Sequence, residues 1–237
     1  MFYLTIDVSS HVLVGVVEAA ADDFASVALR SRVASNDSRH HVELLSPMVK
    51  QALGEAHVVR PDAIIAGTGP AAFTGLRAGL VTARTLAYTW DIPIYGISSA
   101  EVIALAAADR GANIVEAIID ARRKEVYALR ARAMGSDDVE VLEVPRVLRP
   151  KALAQELDGN PAVVACARAD LYADVLPDRI IVDAEPEVAV RLVMSRLARR
   201  DAGEAIDFST EPQYLRRPDV DAGARAQPAA QGNPYGK

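Results

Sequence analysis

Asp7, Ser9 and Ser10 lie within one turn, Asp7-Val8-Ser9-Ser10, at the end of the chain's first apolar run. One carboxylate and two hydroxyls in four positions could orient a phosphate, so this turn is the first candidate for chemistry. Read alone, Asp7 is equally a structural acid at a strand end and a remnant of a nucleotide site. The four histidines are His11, His40, His41 and His57. Two imidazoles reach one ion when they stand three or four apart on a helix, and none of these four does, so no metal site is expected. The single cysteine, Cys166, follows the apolar run Ala162-Val163-Val164-Ala165 and reads as an inert core thiol; a lone cysteine allows no disulfide within the chain. The basic run Arg122-Arg123-Lys124 could touch RNA, but a solvated turn is the simpler reading. Gly67-x-Gly69-x-x-Ala72 fits a loose dinucleotide fingerprint. It follows the fourth strand and not the first, contains Pro70 and lacks the acid that should close the next strand, so it is set aside.

Strand-like runs over 2–6, 12–17 and 26–33, separated by a polar turn at Ala21-Asp22-Asp23, predict an antiparallel meander. A helix is expected over 41–53, capped by Asp37 or Ser38, with Pro47 marking a bend or a second start. Ala63-Ile64-Ile65-Ala66 reads as a buried strand, and the glycines and Pro70 after it mark a turn into a second helix over 75–89. A short strand ends at Ile97, and Ser98-Ser99-Ala100-Glu101 reads as the cap of a third helix. The order β-β-β-α-β-α-β-α implies one mixed sheet with helices on its faces. A polar turn at Asp109 to Ala112 marks a boundary, after which a second meander (113–119, 125–133, 139–144) leads to a helix near 151–157, strands near 162–166 and 179–182, and a helix over 186–199. Two units, 1–109 and a smaller 110–216, are therefore expected, with a mobile Ala-, Gly- and Pro-rich tail over 217–237.

The first two helices carry more apolar surface than a single sheet requires. Val42, Leu45, Val49 and Leu53 form one stripe, with Leu44 and Met48 beside it. Each large side chain left in water forgoes roughly 1.5–3 kcal/mol. On the other helix Gly79 and Ala83 would let a second backbone approach. Cover by the chain's own sheet is the simpler reading from composition, and docking of another chain the sharper one. The net charge of −6 offers no basic footprint for unaided gripping of nucleic acid. The N-terminus lacks the basic flank and long apolar region of a secretory signal, and no apolar run approaches membrane-spanning length, so a cytoplasmic protein without membrane contact is expected.

Six motifs carry a resemblance. Gly69-Pro70-Ala71-Ala72-Phe73-Thr74-Gly75-Leu76-Arg77 resembles the G-P-G-S-F-T-G-L-R signature of the TsaB (YeaZ) family, with Ala71 and Ala72 in place of its usual glycine and serine. Asp7-Val8-Ser9-Ser10 is similar to that family's D-T-S turn, and His41-Val42-Glu43 with Leu45 and Pro47 to its H-S-E-x-L-L-P helix start. Ile92-Pro93 with Gly96-Ile97-Ser98-Ser99, Asp120-Ala121-Arg122-Arg123-Lys124-Glu125-Val126-Tyr127 and Pro212-Gln213-Tyr214-Leu215-Arg216 resemble three further family motifs in the same order. The stretch 134–205 is matched only in outline and the tail not at all.

The resemblance implies an α/β fold of two ribonuclease-H-like halves of the actin, sugar-kinase and Hsp70 type, the second half reduced. It implies a non-catalytic subunit, without a cofactor, of the complex that forms N6-threonylcarbamoyladenosine at position 37 of tRNA. Its partners would be the catalytic relative TsaD and the ATPase TsaE, with tRNA met only through the complex and a homodimer when alone. The family's dimer face implies an interface at His41, Leu44, Leu45, Met48, Leu76, Gly79, Leu80, Ala83 and Ala87. On that reading Leu45→Asp or Ala83→Glu should abolish pairing and leave the monomer folded. A vestigial nucleotide site would lie at Asp7, Ser9 and Ser10. The alternative is an ATP-dependent kinase or hydrolase of the same fold class acting through Asp7, although the second hairpin, Asp120 to Glu125, has no glycine to let its backbone approach a phosphate.

Overall fold

The computed structural model describes residues 1–20, 23–35, 41–176 and 178–216, apart from the side chains of His41 and Val42. The turn residues Ala21 and Asp22, the caps read at Asp37 or Ser38, and the tail over 217–237 lie outside the described residues.

The first half runs β1 (Phe2–Asp7), β2 (Val12–Ala20), β3 (Asp23–Ser35), α1 (His41–Glu55), β4 (Ala63–Gly67), α2 (Phe73–Trp90), β5 (Ile94–Ile97) and α3 (Ser99–Ala108). The second runs β6 (Ile114–Asp120), β7 (Val126–Ala133), β8 (Val139–Leu148), α4 (Pro150–Gly159), β9 (Val163–Cys166), β10 (Arg179–Ile181) and α5 (Pro186–Asp201). Strands order as β3-β2-β1-β4-β5 in one sheet and β10-β9-β6-β7-β8 in the other, which is the same order read from the opposite edge. In each sheet the first strand pairs antiparallel with the second and parallel with the fourth: Thr5 faces Gly15 on one side and Ile65 on the other. This is the ribonuclease-H-like arrangement twice over, the two-half fold of the actin, sugar-kinase and Hsp70 type. The second half keeps all five strands. Its reduction is helical, because turns over 169–175 stand between β9 and β10 where α2 stands between β4 and β5.

The helices stack in layers around the two sheets. Helices α1 and α2 cover one face of the first sheet, where Leu4, Ile6, Val14, Ile64, Leu45 and Leu80 form one core. The α4 side of the second sheet encloses Ile118, Val126, Leu153 and Cys166. Between the sheets lie α3 and α5, and each packs on the sheet of the other half: α3 against β6 and β7, α5 against β1, β2 and β3. The resulting core runs without a break from Tyr3 and Ile65 through Ile103 and Val190 to Ile119 and Leu129. Helix α3 is apolar on every side, and from Ser99 to Ala107 only Glu101 is less than fully buried, as a helix lodged between two sheets requires. Its start falls where the sequence predicts, but the capping side chains are spent elsewhere. Ser98 donates to the Gly69 carbonyl at 3.2 Å, and Glu101 pairs with Arg196 of α5.

Candidate functional site

The Asp7 turn is held by its own hydrogen bonds. Its carboxylate accepts from the Ser9 amide at 2.8 Å and the Ser9 hydroxyl at 2.5 Å, and from the Ser99 hydroxyl at 2.5 Å. The parallel pairing of β1 and β4 sets Gly67 beside it, and a Cβ there would lie 2.7 Å from Asp7 Cγ and 2.8 Å from Ser99 Oγ, so only glycine fits. Burial pushes the Asp7 carboxyl above its ordinary range, against the pull of the Ser9 and Ser99 hydrogen bonds. The segment joining β10 to α5 closes the space above. There His11 Nε2 meets Asp183 Oδ2 at 2.9 Å and Arg32 Nε meets Glu185 Oε2 at 2.8 Å. What remains between Asp7, Gly67, Ala184 and Ala189 is a void of about 10 Å³, the space of one water at most. Asp7 and Ser9 are brought together as expected, and their bonds hold a turn; Ser10 is half-buried and outside this set of bonds. Ser99, His11 and Asp183 complete the cluster; Ser99 and Asp183 carried no such signal because they are distant in the chain from Asp7, and His11, four residues on, is brought in through Asp183.

A second cleft gathers three of the family-like motifs. Its walls are Ala71, Ala72 and Phe73 of the central loop, Ala121 to Arg123 and Tyr127 of the β6–β7 hairpin, and Tyr214 to Arg216. The Phe73 and Tyr214 rings stand 4.9 Å apart, with the Arg77 guanidinium 5.0 Å from the Phe73 ring. Tyr127 donates to the Ala71 carbonyl at 3.4 Å. Arg216 donates to the Ala121 carbonyl at 2.8 Å and pairs with Glu125. The hairpin tip has an unexpected backbone: Arg122, Arg123 and Lys124 have φ of 61°, 52° and 62°, three left-handed residues in succession with no glycine among them. Each costs roughly 1–2 kcal/mol, offset here by the Arg122 amide donating to Asp120 Oδ1 at 2.8 Å and the Glu125 amide to the Arg122 carbonyl at 3.0 Å.

The helix pair differs most from expectation. Leu45, Met48, Leu76, Leu80, Ala83 and Ala87, read as an outward docking face, are 0–5 % exposed and lie in the core beneath α1 and α2. Gly79 is buried too, with Val8 packed 2.7 Å from where its Cβ would stand. The surplus apolar surface is accounted for because α1 and α2 pack on each other as well as on the sheet. Leu45→Asp and Ala83→Glu would therefore strike the core and not spare the monomer. Leu44 is half-buried, and the side chain of His41 lies outside the described residues. The outer face of α2 is instead Arg77, Val81, Arg84 and Tyr88, at spacings of four, three and four that align them on one side. Val81 is 59 % exposed and Tyr88 90 %. Arg84 is fixed by the returning C-terminal segment, donating to Thr210 Oγ1 and the Thr210 carbonyl at 2.7 Å and to Glu211 Oε1 at 2.8 Å. That segment runs on along the first sheet's edge, where the Gly96 amide donates to the Phe208 carbonyl and the Gln213 amide to the Thr68 carbonyl, each at 2.9 Å.

Among the described residues no three His, Cys, Asp or Glu side chains cluster as a metal-binding group, and no helix is long and apolar enough to cross a membrane.

Known proteins place this geometry in a family. The family model described as TsaD, tRNA N6-adenosine threonylcarbamoyltransferase, matches residues 29–171. An uncharacterised protein of Mycobacterium tuberculosis is 33 % identical over 189 residues, covering 78 % of this chain and 79 % of its own. The tRNA threonylcarbamoyladenosine biosynthesis protein TsaB of Escherichia coli is 38 % identical over 128 residues, covering 52 % of this chain and 55 % of its own. The solved structure of YeaZ from Pseudomonas aeruginosa superposes with a TM-score of 0.70 at 27 % identity, covering 90 % of this chain and 99 % of its own. Six ordered motifs, the doubled sheet and these likenesses agree: the chain belongs to the TsaB (YeaZ) family of tRNA threonylcarbamoyladenosine biosynthesis.

Proposed function

We propose that this chain is a non-catalytic subunit of the machinery that forms N6-threonylcarbamoyladenosine in tRNA. On this reading it binds and activates a TsaD-type catalytic relative through the outer face of α2, a TsaE-type ATPase joins the pair, and the same face serves self-pairing when the chain is alone. The observation that carries the reading is the pair Val81 and Tyr88, exposed seven residues apart and alternating with Arg77 and Arg84 along the outer face of a helix whose other side lies in the core. Tyrosine and arginine are side chains enriched where interfaces concentrate their energy. Covering both apolar side chains would contribute roughly 1.5–3 kcal/mol each. The Asp7 carboxylate, engaged by the Ser9 amide and by the Ser9 and Ser99 hydroxyls, supports a scaffold over a kinase or hydrolase acting through that residue.

Co-expression with the TsaD-type subunit tests it. The double variant Val81→Asp/Tyr88→Ala should elute as a monomer on a sizing column while its circular-dichroism spectrum stays that of the parent. A complex of undiminished mass refutes the docking face.

A further inference from the structure

At the hairpin tip, sharing Arg123 with the aromatic cleft, an open groove of about 600 Å³ lies in the second half. Three distant segments line it: Arg123 and Lys124 of the tip, Arg149, Pro150 and Lys151 at the start of α4, and Tyr172 and Val175 of the turns before β10. No carboxylate is among these residues, in a chain whose net charge is −6. Elsewhere in this half the arginines are consumed within the fold. Arg132 pairs with Glu140, Arg168 with Asp170, Arg191 with Asp109 and Arg199 with Asp138. Lys124, Arg149 and Lys151, all exposed, have no acidic partner among the described residues, and they converge on this one groove. The left-handed run at 122–124 belongs to the same feature, since it turns the hairpin within three residues and sets consecutive cations at its tip.

We infer that this groove binds the phosphate backbone of tRNA, adding a direct contact from this chain to the surface on which the complex holds its substrate. The inference rests on the tRNA-modifying role above. Cations from three segments along an open channel suit a run of regularly spaced phosphates, and Tyr172 on its wall offers a face on which an unpaired base can stack. Local charge decides such contacts, because at physiological salt a charge is screened over about 8 Å, so the acidic remainder of the chain does not cancel the groove. The sequence shows only the Arg122-Arg123-Lys124 part of it, which by itself reads as a solvated turn; Arg149, Lys151 and Tyr172 join it only in the fold.

The test uses the full chain and an unmodified tRNA transcript, with binding followed by fluorescence anisotropy between 50 and 300 mM salt. Arg149→Glu/Lys151→Glu should weaken binding at least about tenfold at the low-salt end and reduce the slope of log K against log salt by about 2, near one unit per lost phosphate contact. Lys124→Glu alone should reduce the slope by about 1. The control pair Lys50→Glu/Arg60→Glu, on exposed cations of the first half, should leave the slope unchanged. Equal losses from the groove and control pairs, or an unchanged affinity in the groove pair, overturn the inference. Each variant is also assayed for pairing with the TsaD-type subunit. Pairing that persists while tRNA binding falls supports the groove, and tRNA binding that persists while pairing is lost overturns it. Failure of the unmutated chain to pair counts against the proposed function alone, because the tRNA measurement is made on this chain by itself.

Discussion

Leu80 and Val81 are neighbours on α2, yet truncating them should have effects that differ in kind. Leu80 is 3 % exposed and packed into the core under the helix, whereas Val81 is 59 % exposed. Replacing a buried leucine by alanine loses its transfer energy and leaves a cavity, a cost of about 2–5 kcal/mol. At about 2–4 °C per kcal/mol for a chain of this size, Leu80→Ala should lower the melting temperature by roughly 5–15 °C. Leu45→Ala, at 1 % exposure on α1, should do the same. Val81→Ala and Tyr88→Ala remove side chains that already meet water, so each should move stability by no more than about 0.5 kcal/mol, within roughly 2 °C. Thermal unfolding followed by circular dichroism, at a concentration low enough that the chain does not self-pair, separates the two groups. The ordering should reverse in a pairing assay with the TsaD-type subunit, where loss of Val81 or Tyr88 is felt directly and Leu80→Ala only through lowered stability. If Leu80→Ala melts within 2 °C of the parent, or if Tyr88→Ala falls as far as Leu80→Ala, the inward and outward assignment of α2 is wrong.

Two further outcomes follow from the junctions between segments. A Cβ at Gly96 would lie 2.7 Å from the Ser209 carbonyl carbon and still closer to its oxygen, backbone atoms that cannot swing aside. Gly96→Ala should therefore displace the C-terminal segment, cost about 1–3 kcal/mol and expose residues 203–210 to limited proteolysis; an unchanged digestion pattern would show that the segment is not seated on β5. The Asp183 hydrogen bond raises the His11 pKa above its usual value, with burial working against it. That pair contributes stability fully below a pH of about 6.5 and loses it as pH rises through the folded-state value. The melting-temperature gap between parent and His11→Gln should accordingly be widest near pH 6 and close on the alkaline side. A gap that widens with pH would reverse the sign assigned to the pair.

Much of the fold was legible because its signals are local. The uninterrupted apolar run at Ala63 to Ala66 reads as a central parallel strand, and both meanders follow from turn chemistry and strand-length apolar runs. The side of α1 and α2 that faces out was not legible. A helix covered by a sheet and by a neighbouring helix shows the same broad apolar stripe as a helix covered by a sheet and a partner, and Met48, 5 % exposed, falls in that ambiguity. Ser98 and Glu101 fit a capping box by spacing alone, but tertiary partners, the Gly69 carbonyl and Arg196, outbid the local ones. The left-handed tip at Arg122 to Lys124 lacks the glycine that would have announced it. The Asp7 turn was read correctly as a cluster of acceptors and hydroxyls, and its distant partners Ser99 and Asp183 are fixed by topology that spacing along the chain does not encode.

The exchange of α3 and α5 across the sheets limits how this molecule can move. In a two-lobed protein that clamps a ligand, the lobes swing about a hinge, and here such a swing would have to drag Ile103 and Val190 out of a shared interior. A continuous core of this kind favours a chain that moves as one body over one that closes as a jaw. On the proposed reading, a protein seated on Tyr88 and an RNA resting in the α4 groove would be joined through that shared core, so capturing one would constrain the position of the other.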